Sequence, residues 1–458
     1  MSWLVPIAMY GWVPLVAVLF ATFRPSRAVL VSYLLGWMFL PVAEFQLLGF
    51  FDYTKATAVP LVVFLGVLVF DTASLRRFRF KSFDLPMAAF CVAPLASSLG
   101  NGLGWYDGIS ALTYQTITWG LPYLCGRIYF SSPEGLRRLA LGLFAGGLVY
   151  APLCLWEIRM SPQLHATLYG FQQHDWTQTL RFGGYRPMVF MQHGLMVGLW
   201  MGAASLVGLA VWMGSGIRRL WGMPVWFLVT ALLGTTLLCK SFGAIALIVV
   251  ATLTLLAMRS LRTSMPMALL VCVPSTYVLM RTLGAWPGAE LTSLVRAVDA
   301  DRAGSLAFRL EAEEKLRLKA AEKPLLGWGG WGRSFVRRFD DPERADTVIT
   351  DSQWILAFGK YGALGLASFL LCLLVPVVAL WRRCPPRLWA SPGAALPWAL
   401  ALVLTVYALD NLVNAMENPV YLLIAGGLCG LAPARALARR RSVERKASPR
   451  PAAAIQVT

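Results

Sequence analysis

The chain has 458 residues, of which 57% are hydrophobic and only 14% charged, and its formal net charge is +18. That composition excludes a soluble globular domain. The positive charge is scattered over short segments between apolar runs, which also excludes nucleic-acid binding as its purpose.

In chain order, apolar runs of roughly 17–25 residues, each long enough to cross a bilayer as a helix, fall near 3–22, 28–50, 56–73, 84–103, 109–130, 136–158, 188–213, 222–239, 241–258, 265–284, 355–381, 394–416 and 418–434. The expected fold is all-α, a polytopic helical membrane protein with about 12–13 transmembrane helices, because one short segment can re-enter rather than cross. Residues 1–434 form the membrane domain, and 435–458 are a basic tail whose composition predicts disorder. The opening "MSWLVPIAMYGW" carries no basic region ahead of its apolar run, which argues against a cleavable signal peptide.

Charge sets the expected orientation. The segments "FRPSR", "SLRRFRFKSFD", "CGRIYFSSPEGLRR", "GSGIRRLWG", "RSLRTS", "WRRCPPRLW" and "RALARRRSVERKASPR", with charges embedded in helices assigned to the nearer side, hold 23 of the 41 Lys/Arg but 4 of the 23 Asp/Glu. Basic residues resist translocation, so these segments and the carboxy terminus are expected inside, and the amino terminus outside. The tail also suits contact with anionic membrane lipids. Eight cysteines lie scattered without a CxxC, and three histidines leave no zinc constellation.

Two long loops are then expected outside, over residues 159–187 and 285–350. In the second, "DADRAGSLAFRLEAEEKLRLKAAEKP" is rich in helix formers and stops at Pro324. Arg302, Leu306, Arg309 and Glu313 share one helix face, and Phe308, Ala312, Leu316 and Ala320 form an adjacent apolar stripe. The following "PLLGWGGWGRSF" permits close backbone approach at its glycines, although an interfacial helix and a turn would explain the same residues. Ionisable residues inside spans are costly and informative. Glu44, Glu157, Arg281 and Asp410 fall toward the outer ends of their expected helices, Asn411, Asn414 and Glu417 extend the cluster at Asp410, and no comparable charge is read at the midplane of a span.

From Arg181 to Gly365 the chain resembles the O-antigen ligase and O-antigen/exopolysaccharide polymerase superfamily. The resemblance rests on four strips in order: "RFGGYRPMVFMQHGLM", the tight turn "CKSFGA", Arg309 ahead of "PLLGWGG", and "DSQWILAFGKYGALG". In the last, Asp351-Ser352, Gly362 and Gly365 match the family's spacing, but Asp351 stands where the family has histidine. The resemblance implies a glycosyltransferase that moves glycan from a polyprenyl-diphosphate carrier at the outer face of the cytoplasmic membrane. It implies no cofactor and no metal, a glycan or lipid acceptor, and a flippase and chain-length regulator as possible partners.

Such chemistry places negative charge on a departing diphosphate, which fixed guanidinium forks stabilise. Arg309 and Arg186 are the leading catalytic candidates, with Arg181, Arg302, His193 and Lys240 as substrate-binding candidates. Arg309 could instead pair with Glu313 at i+4, and Arg186 could anchor phospholipid. Asp351 could take the acceptor hydroxyl's proton or cap the helix that begins near Gln353; His193 is the other candidate base or a structural hydrogen bonder. A polymerase is the leading expectation and a ligase the close alternative. A transporter or flippase, which calls for midplane charges or two related halves, and a non-catalytic scaffold are the readings from other classes.

Overall fold

A computed structural model describes residues 2–47, 51–181, 183–297, 300–336, 352–384 and 394–431, without the side chains of residues 301 and 302. It is a multi-pass helical membrane protein, and its only strands among the described residues form three two-residue hairpins. Among the described residues, seven helices are long and apolar enough to cross a membrane: Leu4–Thr22, Ser82–Gly100, Pro133–Met160, Gly194–Gly214, Phe242–Leu261, Met265–Thr282 and Gln353–Arg383. Lys55–Phe70, Val225–Leu238, Ala395–Asp410 and Pro419–Gly430 are shorter apolar helices.

Local chemistry explains the ends. Pro25, Pro133 and Pro419 open helices at the position where a missing N–H costs nothing, and the Ser132 and Asn418 side chains accept from Gly135 N and Val420 N. The expected span 28–50 is shorter than read. Its helix stops at Phe39, because Leu40 precedes Pro41 and is held extended, and the chain turns into the hairpin Glu44–Phe45/Tyr53–Thr54. Glu44 therefore sits on that hairpin and not on a helix end.

Helices Gly194–Gly214 and Ala395–Asp410 are apolar all round and buried on nearly every side, so they form the centre of the bundle. Helices Leu121–Tyr129 and Pro419–Gly430 touch backbone to backbone, since a side chain at Gly126 or Gly426 would overlap the carbonyl of Leu423 or Tyr123. Trp3, Val69, Trp226, Leu253 and Leu269 are exposed around the outside, the apolar belt that a lipid-facing surface requires.

The loop helix Ala300–Ala321 follows the expected pattern, and its stripe lies on protein: Ala312, Leu316 and Ala320 are buried while Phe308 is exposed. It docks through Arg281, which donates from Nη2 to Leu310 O at 2.9 Å and faces Glu313 at 3.7 Å. Tyr277 Oη donates to the same Glu313 carboxylate at 3.1 and 3.2 Å. Burial pushes that carboxyl up to about 7 against the pull of Arg281.

Glu157 ties down the other loop. Its Oε2 accepts from Met188 N and Val189 N at 2.8 and 2.7 Å, and Oε1 accepts from Leu164 N at 3.0 Å. Both oxygens must be acceptors, so Glu157→Gln turns an NH2 group toward at least one N–H donor. A loss of about 1–3 kcal/mol is expected, read as a lower thermal midpoint in detergent, whereas an unchanged midpoint would mean these bonds do not hold the loop.

Candidate functional site

The strip "RFGGYRP" is a hairpin, Leu180–Arg181 paired with Gly184–Tyr185 around Gly183 at φ +65°. Gly184 lies against the ammonium of Lys240, so that a side chain there would overlap Nζ. Lys240 is itself held at φ +52° in the turn "CKSFGA", and its carbonyl accepts from Arg186 Nη2 at 3.5 Å. Arg186 is only 4% exposed, and its stem packs on Gly194, where a side chain would collide with it. The first two strips thus meet around Arg186 and Lys240.

Arg309 reaches the same place from the loop helix. Its Nη1 donates to Val413 O at 3.3 Å and to Asn414 Oδ1 at 3.4 Å, while Asn414 Nδ2 donates to Asp410 Oδ1 at 2.7 Å. Gln353 N donates into the same turn, to Asn411 O at 3.1 Å and Asn414 O at 3.3 Å. Glu313, the alternative partner for Arg309, is engaged by Arg281 and Tyr277.

His193 stands immediately before the helix that begins at Gly194, and its Nδ1 accepts from Leu195 N at 3.0 Å as the cap. Burial holds its ring down to about 3, helped by the neighbouring His174 and by the positive charges of Arg186, Arg309 and Arg181. One imidazole is therefore within electrostatic reach of three arginines, Arg181 and Arg186 from the hairpin strip and Arg309 from the loop helix. Because Nδ1 is an acceptor, neutral His193 carries its proton on Nε2 and offers a donor there. A ring held this low favours a donor role for Nε2 over proton acceptance. His174, whose ring meets that of His193 edge-on at 4.6 Å, belongs to the cluster and was not picked out from the sequence. Asp351 and the side chain of Arg302 lie outside the described residues.

The fourth strip carries a break. Gly362 has φ +62° and ψ −156° inside Gln353–Arg383, a conformation open to glycine alone. In a continuous helix Ala363 N would bond Gly359 O, and Leu364 N would bond Lys360 O. Here Ala363 N donates to Pro324 O at 2.7 Å and Leu364 N to Leu325 O at 3.3 Å, while Gly359 O and Lys360 O each accept at 2.9 Å, from Trp328 N and Gly329 N. The strip "PLLGWGG" is threaded into the gap, and a side chain at Gly327 or Gly362 would overlap the opposing backbone.

Beside the arginines opens a cavity of about 500 Å³, whose walls include Met191 and Gln192 next to His193, and Gln353. Lys55, Lys360, Glu417 and Gln115 also line it. Lys55 Nζ donates to Leu40 O and Phe190 O at 2.9 and 2.8 Å. Glu417 Oε1 accepts from Trp119 Nε1 at 3.3 Å, and burial raises its carboxyl, offset in part by Trp119 and Lys360. Gln115, 6% exposed, ends a helix just before the π-helical turn Thr116–Gly120, and its Nε2 has no partner among the described residues. Lys360 is a charge that the sequence reading passed over: it sits in the outer third of Gln353–Arg383, beside the break and short of the midplane. Its only signal in the sequence is a lone lysine between the glycines of "GKYG".

Neither a protein-family model nor any curated protein sequence matches the chain. What defines the site is its own chemistry: one buried and two half-buried arginines near His193, with a cavity of mixed polar and aromatic lining close by, in a multi-pass membrane protein.

Gly362→Ala should remove the folded protein or shift its thermal midpoint by many degrees, because the new methyl meets Leu325 backbone in a glycine-only conformation. Gly234→Ala, where a methyl meets open space, is the control. Equal stability of both variants would refute the threaded break.

Proposed function

We propose that the protein is a membrane glycosyltransferase of the O-antigen ligase/polymerase type, acting on polyprenyl-diphosphate-linked glycan. The observation that carries this reading is the convergence of Arg181, Arg186 and Arg309 around a neutral His193. Guanidinium groups stay ionised when buried and present a planar fork to phosphate oxygens. The positive-inside distribution supports an extracytoplasmic position for this end of the bundle, the face at which lipid-linked glycans are polymerised or transferred.

In the reaction, an acceptor hydroxyl oxygen bonds to the anomeric carbon as that carbon's bond to the diphosphate breaks. The electron pair leaves on the diphosphate oxygen, which the arginines and the His193 Nε2 donor stabilise. The hydroxyl proton passes to a carboxylate, a role assigned to Asp351 by its position before Ser352. The cavity, with its amides and aromatic rings, suits the glycan. Extension of a surface polysaccharide is preferred to transfer of finished glycan onto lipid A core or protein, because Asp351 departs from the family's histidine.

One observation favours a different class. Lys360 and Glu417 lie in an interior cavity beside a broken helix, an arrangement also found where transporters bind charged substrate. Purified protein in detergent separates the two, since only a transferase releases undecaprenyl diphosphate from lipid-linked glycan without a membrane gradient. Arg309→Ala and Arg186→Ala are each expected to cut product formation by about 10²–10³-fold, and Arg309→Lys should rescue poorly. Full activity of Arg309→Lys would reduce the residue to bulk charge. Glycan uptake into vesicles by a parent protein that forms no product would make the transporter reading correct.

A further inference from the structure

The end of the bundle opposite the arginine cluster carries a second cationic recess. It is a cavity of about 250 Å³ lined by Ser74, Arg77, Phe78, Arg79, Lys81 and Arg127. We propose that it is a binding site for the phosphate of an anionic glycerophospholipid.

Its floor is built and rigid. Arg127, 8% exposed, donates from Nε to Asp84 Oδ1 at 2.7 Å and from Nη2 to Asp84 Oδ2 at 3.1 Å. Its guanidinium lies 5.3 Å from the Phe78 ring centre and 4.8 Å from that of Phe83. Nη2 also donates to Arg79 O at 3.2 Å, which fixes the turn that presents the other cations.

Charge is uncompensated above that floor. The neighbouring carboxylates are both engaged: Asp84 by Arg127 and Tyr123 Oη, and Asp71 by Ser74 N and Tyr129 Oη. Arg77, Arg79 and Lys81 have no carboxylate partner among the described residues. Three exposed cations around one recess favour a phosphate, and the Ser74 hydroxyl adds a neutral donor.

Position selects a lipid over a free anion. The recess lies between the end of Lys55–Phe70 and the start of Leu85–Gly100, where apolar helices leave the bilayer. Phe80 and Leu85, on the same segment, are each 57% exposed. Apolar side chains beside unpaired cations match a headgroup layer, in which each basic residue strengthens anionic-lipid contact by about fivefold.

The test uses full-length protein in micelles containing equal phosphatidylglycerol and phosphatidylcholine, with retained lipid counted by native mass spectrometry. Phosphatidylglycerol should be retained in preference. The variant Arg77→Gln/Arg79→Gln/Lys81→Gln should lower its retention at least tenfold, while Arg137→Gln/Arg218→Gln/Arg219→Gln, removing equal charge elsewhere on that face, should leave it unchanged. Equal loss in both variants would reduce the effect to bulk charge and overturn the site. Displacement of phosphatidylglycerol by millimolar inorganic phosphate would overturn the lipid assignment.

Discussion

A helix broken inside a membrane bundle must find partners for every backbone group it frees, since no water waits there to satisfy them. The break at Gly362 meets that demand by exchanging two helical hydrogen bonds for four to the segment Pro324–Gly329. This exchange ties a loop that follows the helix Ala300–Ala321 to the helix Gln353–Arg383. It also brings Lys360 to the cavity wall and, with the turn at 411–414, fixes where Arg309 docks. Gly327 and Gly362 are therefore required for one reason: each leaves room for the other strip's backbone.

The site rests on similar economies elsewhere. Arg186 occupies space that only Gly194 concedes, and the Lys240 ammonium lies against Gly184. Glu157 gathers three backbone donors and so places the segment that leads into His193. The loop helix is held by the Arg281–Glu313–Tyr277 group, in which burial raises the Glu313 carboxyl against the pull of Arg281.

Most of the helices were legible because continuous apolar runs have few alternatives in lipid. The run at 28–50 is the exception, since it stays apolar on both sides of Pro41 while that proline ends the helix. Arg181, Arg186, Lys240, His193 and Arg309 were legible as separate motifs, and the structure brings them together. The spacing to Gly362 marked its place but not its function, since a threaded break leaves no periodic trace. Gln115 and His174 carry no motif, Lys360 stands unmarked inside the fourth strip and Glu417 is legible only beside Asp410, so only folding reveals that they line one cavity or join one cluster. The i+4 geometry of Arg309 and Glu313 was real but did not decide the pairing, because Arg281 and Tyr277 reach Glu313 from another helix.

The central claim is that the three arginines form a diphosphate site. Its most direct measurement is the affinity of the purified protein for undecaprenyl diphosphate without glycan. The account predicts saturable binding by the parent and a loss of at least about 100-fold in Arg186→Gln/Arg309→Gln with an unchanged thermal midpoint, as expected when two charge-assisted phosphate contacts are removed. Equal affinity in the parent and the double variant, or no binding by the parent, would contradict it.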